Sequence, residues 1–201
     1  MPFSTISVIV TNYNTEQYLE RCLGTIPERP YIEVIIVDDC STDNSIEVIE
    51  NFIKKSRLKV KLIKHTKNLG ASEAFNTGLD NATGDYIYQL DSDDYLYPTN
   101  FADACEMIDG SDLIWVYAQQ NNGYILKPGD GDYEKCAGWM KLIRREFLGD
   151  MRRVKNYWGG DTEMHKDLLD KPHTSQYTKL LVYHYNYPRE GSIMWNLSHG
   201  N

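Results

Sequence analysis

As far as Leu90, short apolar runs alternate with stretches of helical periodicity, and this alternation constrains the fold more than anything else in the chain. The runs are Ile6–Val10, Ile32–Val37, Val60–Ile63 and Tyr86–Leu90. Each is too short for a helix and rich in residues that suit a pleated strand. Ile32–Val37 in particular fits a strand buried on both faces. Between them, Tyr18, Leu19, Cys22, Leu23 and Ile26 recur at helical spacing, as do Ile46, Ile49, Phe52 and Ile53, and then Ala71, Ala74, Phe75, Gly78 and Leu79. Asn14 or Thr15 is placed to cap the first of these helices, and Ser41 or Thr42 the second. Pro27 and Pro30 end the first. Strand and helix in alternation predict an α/β fold, a parallel sheet with right-handed crossovers flanked by helices. In such sheets a ligand sits beyond the carboxyl ends of the strands.

The second half is less regular. Phe101, Ala104, Cys105 and Ile108 mark a helix, and Leu113–Ala118 reads as a strand. Asn122-Gly123 is a hairpin signal. A Gly- and Asp-rich loop follows from Lys127 to Asp132, then a helix over Glu163–Leu169 and a late strand over Leu180–Tyr187. Composition changes near residue 100 with no linker, so 1–100 and 101–201 read as two halves of a single domain.

Composition narrows the partners. The formal net charge is −8, which argues against nucleic acid, since phosphate binding needs an excess of Lys and Arg. It leaves room for a small anionic ligand, because a metal ion can supply the local positive charge. No apolar run approaches the roughly 18 residues of a membrane span. Met1–Thr5 has no basic segment and only a short apolar run follows, so no signal peptide is expected. Cys22, Cys40, Cys105 and Cys136 are scattered without CxxC spacing, as for free thiols in a reducing compartment. The chain has 15 tyrosines, whose flat faces suit both a core and stacking on bases or sugars.

Polar clusters stand just past strands one, two and four: Thr11-Asn12-Tyr13-Asn14, Asp38-Asp39-Cys40-Ser41 and Asp91-Ser92-Asp93-Asp94. Their coincidence predicts one crevice. Carboxylates two residues apart on a turn can converge on a hard divalent cation, or on a cation and a ribose. The alternative for the last cluster is a helix start decorated with acids, which the helix dipole favours. Asp38 and Asp39 can accept the ring N–H of a pyrimidine, with Tyr13 stacked on the base, or can cap the second helix together with Asp43. An EF-hand does not fit, because Leu96 and Ala102 stand where that loop needs Gly and Glu. The dinucleotide fingerprint GxGxxG is missing after strand one, and so is the P-loop GxxxxGK[ST]. A phosphatase built on a DxD nucleophile would place that motif after the first strand.

These residues together resemble the family 2 glycosyltransferases of the GT-A fold. The likeness is carried by Ser7–Asn14, by Val37–Asp43 as Val-Asp-Asp-x-Ser-x-Asp, by Asn68-Leu69-Gly70, and by Gly84–Asp94 running into DxDD. The resemblance implies a metal-dependent inverting transferase. It would move a sugar from a nucleoside-diphosphate sugar, a UDP-sugar foremost, to the hydroxyl of a saccharide or lipid-linked saccharide. It implies a nucleotide-sugar-binding first half and an acceptor-binding second half. Thr11, Tyr13, Asp39 and Asn68 would hold the nucleotide, with Asp39 on the base. Asp91 would lie near ribose and metal, and Asp93 would be the principal ligand of Mn2+ or Mg2+. Asp161, in Gly159-Gly160-Asp161-Thr162-Glu163, would be the catalytic base with Glu163 in reserve, and Arg189 would reach the diphosphate. An ordinary Asp, with a pKa of about 3.9, is ionised and available for this near neutrality. A further expectation from the family is a cytoplasmic location, at the inner membrane face where cell-surface glycans are assembled.

The chain departs from the family in two places. Ala74-Phe75-Asn76 stands where the family has Ala-Arg-Asn, and Gly160 replaces an acid before Asp161. Rival readings are an inactive nucleotide-sugar-binding module and a sugar-phosphate nucleotidyltransferase, though the latter needs a Gly-rich loop after strand one that this chain lacks. Trp139, Tyr157 and Trp158 suit either a core or sugar stacking. Arg144, Arg145, Arg152, Arg153 and Lys155 read as solvated charge, with an acidic glycan, a lipid diphosphate or a membrane surface as the alternative.

Overall fold

The computed structural model describes residues 3–129, 137–154 and 160–187, apart from the side chains at 160 and 161. The predicted alternation is there: β1 (Ile6–Asn12), α1 (Glu16–Gly24), β2 (Ile32–Asp38), α2 (Ser45–Lys55), β3 (Lys59–Lys64), α3 (Ala71–Asn81) and β4 (Tyr86–Asp91). Then come β5 (Tyr95–Leu96), α4 (Pro98–Glu106), β6 (Leu113–Gln120) and β7 (Ile125–Leu126). A short 3-10 turn (Gly138–Met140) leads to β8 (Lys141–Arg144), α5 (Arg145–Leu148), α6 (Gly160–Asp170) and β9 (Ser175–Tyr185).

Among the described residues these strands form one sheet in the order β3-β2-β1-β4-β8-β6-β9-β5, with β7 on β6. β3, β2, β1 and β4 are mutually parallel. From β4 outward the sheet is mixed, because β8 runs antiparallel to both β4 and β6. The order reverses at β1: the chain first builds outward to β3, then crosses back to place β4 on the other side. Such a reversal leaves a crevice at the carboxyl ends of the two strands.

The sheet is covered on both faces. Val8, Val10, Val34, Ile36, Tyr88 and Leu90 meet Leu19, Leu23, Ile49 and Phe101 from α1, α2 and α4. On the opposite face Ile9 and Ile87 meet Phe75 and Leu79 of α3 and Met164 and Leu168 of α6. Each fully buried aliphatic side chain stabilises by about 1.5–3 kcal/mol, so the alternation of faces along β1 fixes its register. Trp139 belongs to the core, stacked on Tyr183 with ring centroids 4.8 Å apart; Tyr157 and Trp158 lie outside the described residues.

Two boundaries differ from expectation. The second helix begins at Ser45 and not beside Ser41 or Thr42. Ser41 is occupied elsewhere: its amide and hydroxyl both turn back to Asp38. Asn44 stands at the N-cap, and Asp43 just before it accepts the N–H groups of Ser45 and of Glu16 in α1. The late strand begins at Ser175, five residues before the apolar run, because a register shift against β6 and a positive φ of 58° at Lys179 interrupt its alternation.

Candidate functional site

Sheet register brings the predicted clusters side by side. Asn12 pairs with Asp38 across β1 and β2, and Thr11 lies between Val37 and Asp91. Buried polar side chains lock the strand ends together. The Asn12 amide donates to Asp38 Oδ1 (2.7 Å) and to Ser41 Oγ (3.0 Å). The Thr15 hydroxyl donates to Asn12 Oδ1 (2.6 Å) and accepts from the Ser92 hydroxyl (2.8 Å), so it joins the first cluster to the acidic run. Asp38 is therefore an organiser of the loops, with both oxygens engaged. Tyr13, by contrast, is 46% exposed above the strand ends, with an open ring face.

Asp39 is 3% exposed, and its carboxylate is shared among three protein donors. Oδ1 accepts the Leu69 N–H (2.8 Å) and His65 Nδ1 (2.7 Å), and Oδ2 accepts the Gly70 N–H (2.7 Å). Gly70, at φ +89°, lets two successive amides face one carboxylate. The Val-Asp-Asp and Asn-x-Gly elements are thus one structure. Of the roughly four acceptor positions a carboxylate offers, three on Asp39 are filled by these donors. Asn68 is exposed and its Oδ1 accepts the Gly70 N–H (3.1 Å).

The acidic run divides by burial. Asp94 is 1% exposed and accepts the Tyr183 hydroxyl and the Asn186 N–H (2.7 Å). Burial, then the charges of Asp93 and Asp91, pushes its carboxyl well above the usual range. Its work is to tie this loop to β9. Asp91 and Asp93 are partly exposed, and Asp91 Oδ1 accepts the Gln89 amide (2.8 Å). Among the described residues, no group of three or more His, Cys, Asp or Glu converges in the manner of a complete metal centre. The two carboxylates do fit a hard cation whose remaining ligands come from phosphate oxygens and water.

Sequence reasoning missed the layer beneath. Gln89, on the same face of β4 as Asp91, accepts from Arg153. Arg153 is 6% exposed, its guanidinium 3.9 Å from the Phe75 ring centroid, and its backbone is paired with Asn76 in both directions (2.8 and 2.9 Å). The basic cluster is therefore not uniformly solvated. Arg144 pairs with Asp112, Arg152 pairs with Asp80, and Arg145 donates to the Gly84 carbonyl. Only a fold that returns the chain to α3 reveals that Arg153 is buried, and no local sequence pattern signals it. Asp161 lies in the first turn of α6, and Glu163 is exposed on the same helix. Arg189 and Lys155 lie outside the described residues.

Residues 7–152 match the family described as "Glycosyl transferase family 2". The poly(ribitol-phosphate) beta-N-acetylglucosaminyltransferase TarS of Staphylococcus aureus is 34% identical over 123 residues, 58% of this chain and 21% of that protein. An uncharacterized glycosyltransferase of Nostoc sp. is 39% identical over 155 residues, 76% of this chain and 47% of that protein. The chain thus spans less than half the length of these relatives. The structure of TarS in complex with UDP-GlcNAc aligns with a TM-score of 0.82 at 24% identity, covering 95% of this chain and 60% of that one. The mannosyltransferase PcManGT of Pyrobaculum calidifontis, in complex with GDP-Man and Mn2+, aligns with a TM-score of 0.77 at 20% identity, covering 99% of this chain and 61% of that one. At such identities the likeness establishes the shared GT-A fold.

Proposed function

The chain belongs to glycosyl transferase family 2, and we propose that it transfers a sugar from a nucleoside-diphosphate sugar to an acceptor hydroxyl, with a divalent cation at Asp93 and Asp91. The observation that carries this reading is the register of β1 between β2 and β4, which puts Thr11 beside Asp91 and Asn12 beside Asp38 at the carboxyl ends of the parallel strands.

Tyr13 offers its exposed face to the base, and the remaining acceptor position of Asp39 suits a ring N–H, as in uracil. Thr11 and Asn68 complete the nucleotide contacts. Asp91 reaches toward ribose and cation, and Asp93 is the principal oxygen ligand. The cation, Mn2+ or Mg2+, supplies charge stabilisation at the departing diphosphate. Asp161 takes the proton of the attacking hydroxyl, and displacement at the anomeric carbon proceeds with inversion. Arg189 contributes positive charge toward the diphosphate. Complexes of relatives with UDP-GlcNAc and with GDP-Man and Mn2+ support the donor class and the cation. A UDP-sugar is the donor we favour, and a saccharide or lipid-linked saccharide the acceptor.

The test is thermal stability against UDP- and GDP-sugars, each with and without Mn2+, followed by transfer assays with the stabilising donor. Ligand that binds only the folded state at about 100 times its Kd adds about 2.7 kcal/mol. Absence of cation-dependent stabilisation by every nucleotide sugar sinks the reading. Full transfer activity in Asp161→Asn would remove Asp161 as the base.

A further inference from the structure

We propose that Gln89 and Arg153 are positioning residues that set the direction of the Asp91 carboxylate in the crevice. This rests on the reading of Asp91 and Asp93 as the cation and diphosphate site.

The chemistry of the three side chains fixes their order. An ionised carboxylate only accepts, and a guanidinium only donates. The Gln89 amide lies between them, so Nε2 must face Asp91 and Oε1 must face Arg153, as found. The reversed amide would set acceptor against acceptor and donor against donor. Alternation along β4 puts Ile87, Gln89 and Asp91 on one face, so that face passes from apolar core through a buried amide to a partly exposed carboxylate.

The base of this chain of contacts is held from several sides. Arg153 lies on the Phe75 ring, and Asn76 clamps its backbone. Gly138 closes the remaining side: a Cβ there would stand 2.2 Å from Gln89 Oε1, 2.9 Å from His165 Nε2 and 3.2 Å from Arg153 Nη2. The Oε1 end of Gln89, which is 7% exposed, is thus packed closely against the Gly138 backbone.

A neutral amide between the charges has a purpose that a direct ion pair would defeat. Arg153 bonded straight to Asp91 would cancel the carboxylate's charge and compete with a cation. Through Gln89, orientation is transmitted while Asp91 keeps its negative charge for the crevice.

The test compares wild type, Gln89→Leu, Arg153→Met and the double variant. Binding of Mn2+ with UDP is read by calorimetry and by the spin-resonance signal of Mn2+, and each unfolding midpoint is measured alongside. Losing a hydrogen bond to a charged group predicts about a tenfold fall in Mn2+–UDP affinity for Gln89→Leu. Arg153→Met should weaken binding in the wild-type background and add nothing to Gln89→Leu, because its effect passes through that residue. Across the three variants the fall in affinity should not track the change in unfolding midpoint. A merely structural role would instead make affinity follow the midpoint. Equal Mn2+–UDP affinity in wild type and Gln89→Leu, or full additivity in the double variant, overturns the positioning role alone. Failure of the wild-type chain to bind Mn2+ with either UDP or GDP overturns the reading of the site, and the positioning role with it; where GDP binds and UDP does not, the same variants are compared with GDP.

Discussion

The guanidinium of Arg153 lies 3.9 Å over the ring of Phe75. An aromatic residue thus stands at the position where the family pattern has arginine, and a cation from elsewhere in the chain covers it. Phe75 is 2% exposed and Arg153 is 6% exposed, so the two are packed as one unit. Restoring the family residue with Phe75→Arg would bury a second guanidinium directly against the first, at a cost of about 3 kcal/mol or more. The exchanged pair, Phe75→Arg with Arg153→Phe, should recover much of that loss in urea unfolding. If Phe75→Arg alone is as stable as wild type, the two residues are not coupled as described.

Asp93 and Asp94 are adjacent and should behave oppositely. Asp93 has a partly exposed side chain, so Asp93→Asn should change stability by less than about 0.5 kcal/mol. It should abolish Mn2+-dependent nucleotide binding. Asp94→Ala leaves the Tyr183 hydroxyl and the Asn186 N–H without their acceptor, and should destabilise by about 2 kcal/mol or more. Unfolding and binding measured on both variants decide the division, and a stability loss in Asp93→Asn larger than in Asp94→Ala would reverse it.

The parallel half of the sheet was legible because β1, β2 and β4 are buried on both faces and leave long apolar runs in the sequence. The strand ends were legible for a related reason: polar residues directly after such a run have nowhere to go but the crevice. What escaped was everything set by contacts distant in sequence. β8 pairs with β4 and β6 over only four residues, too few for a periodic signal. The Asp39 carboxylate reads as a ligand group until Leu69 and Gly70 are seen to fold onto it. Gln89 looks like a polar interruption of a strand, and its purpose emerges only when Arg153 arrives from beyond α5.

At the opposite end of the sheet, Glu33 joins β1, β3 and the turn before β4. Its carboxylate accepts from Ser7, Lys59 and Thr83. Burial opposes its charge, but the bonds from Lys59, Ser7 and Thr83 outweigh that and hold its pKa down at about 2, from an ordinary 4.5. A depressed acid stabilises the fold above its unfolded pKa and loses that contribution as pH falls through the folded value. Glu33→Gln should therefore be less stable than wild type near neutrality, and the gap should close between about pH 4.5 and about pH 2. Urea midpoints across that range test it, and a gap independent of pH would remove Glu33 as its source.

His165 sits one helical turn beyond Asp161 on α6, 1% exposed, with no hydrogen-bond partner on either ring nitrogen among the described residues. Burial, then the charges of Lys141 and Arg153, drives its pKa well below 6.5. The folded chain thus holds His165 neutral, while the unfolded chain takes up a proton near its ordinary pKa of about 6.5. The unfolded state binds more protons below that pH, so this group lowers stability as the solution becomes more acid. Leucine has nearly the same volume and no polar atom to satisfy. His165→Leu should match or exceed wild-type stability near neutrality, by up to about 1–3 kcal/mol. Below about pH 6 its advantage should widen by about 1.4 kcal/mol per pH unit, down to the folded pKa. Urea unfolding of both chains at about pH 7.5 and about pH 5.5 gives the two gaps, on either side of the titration. An advantage that stays constant between them would mean that His165 protonates equally in the folded and unfolded chain, contrary to its burial between two cations.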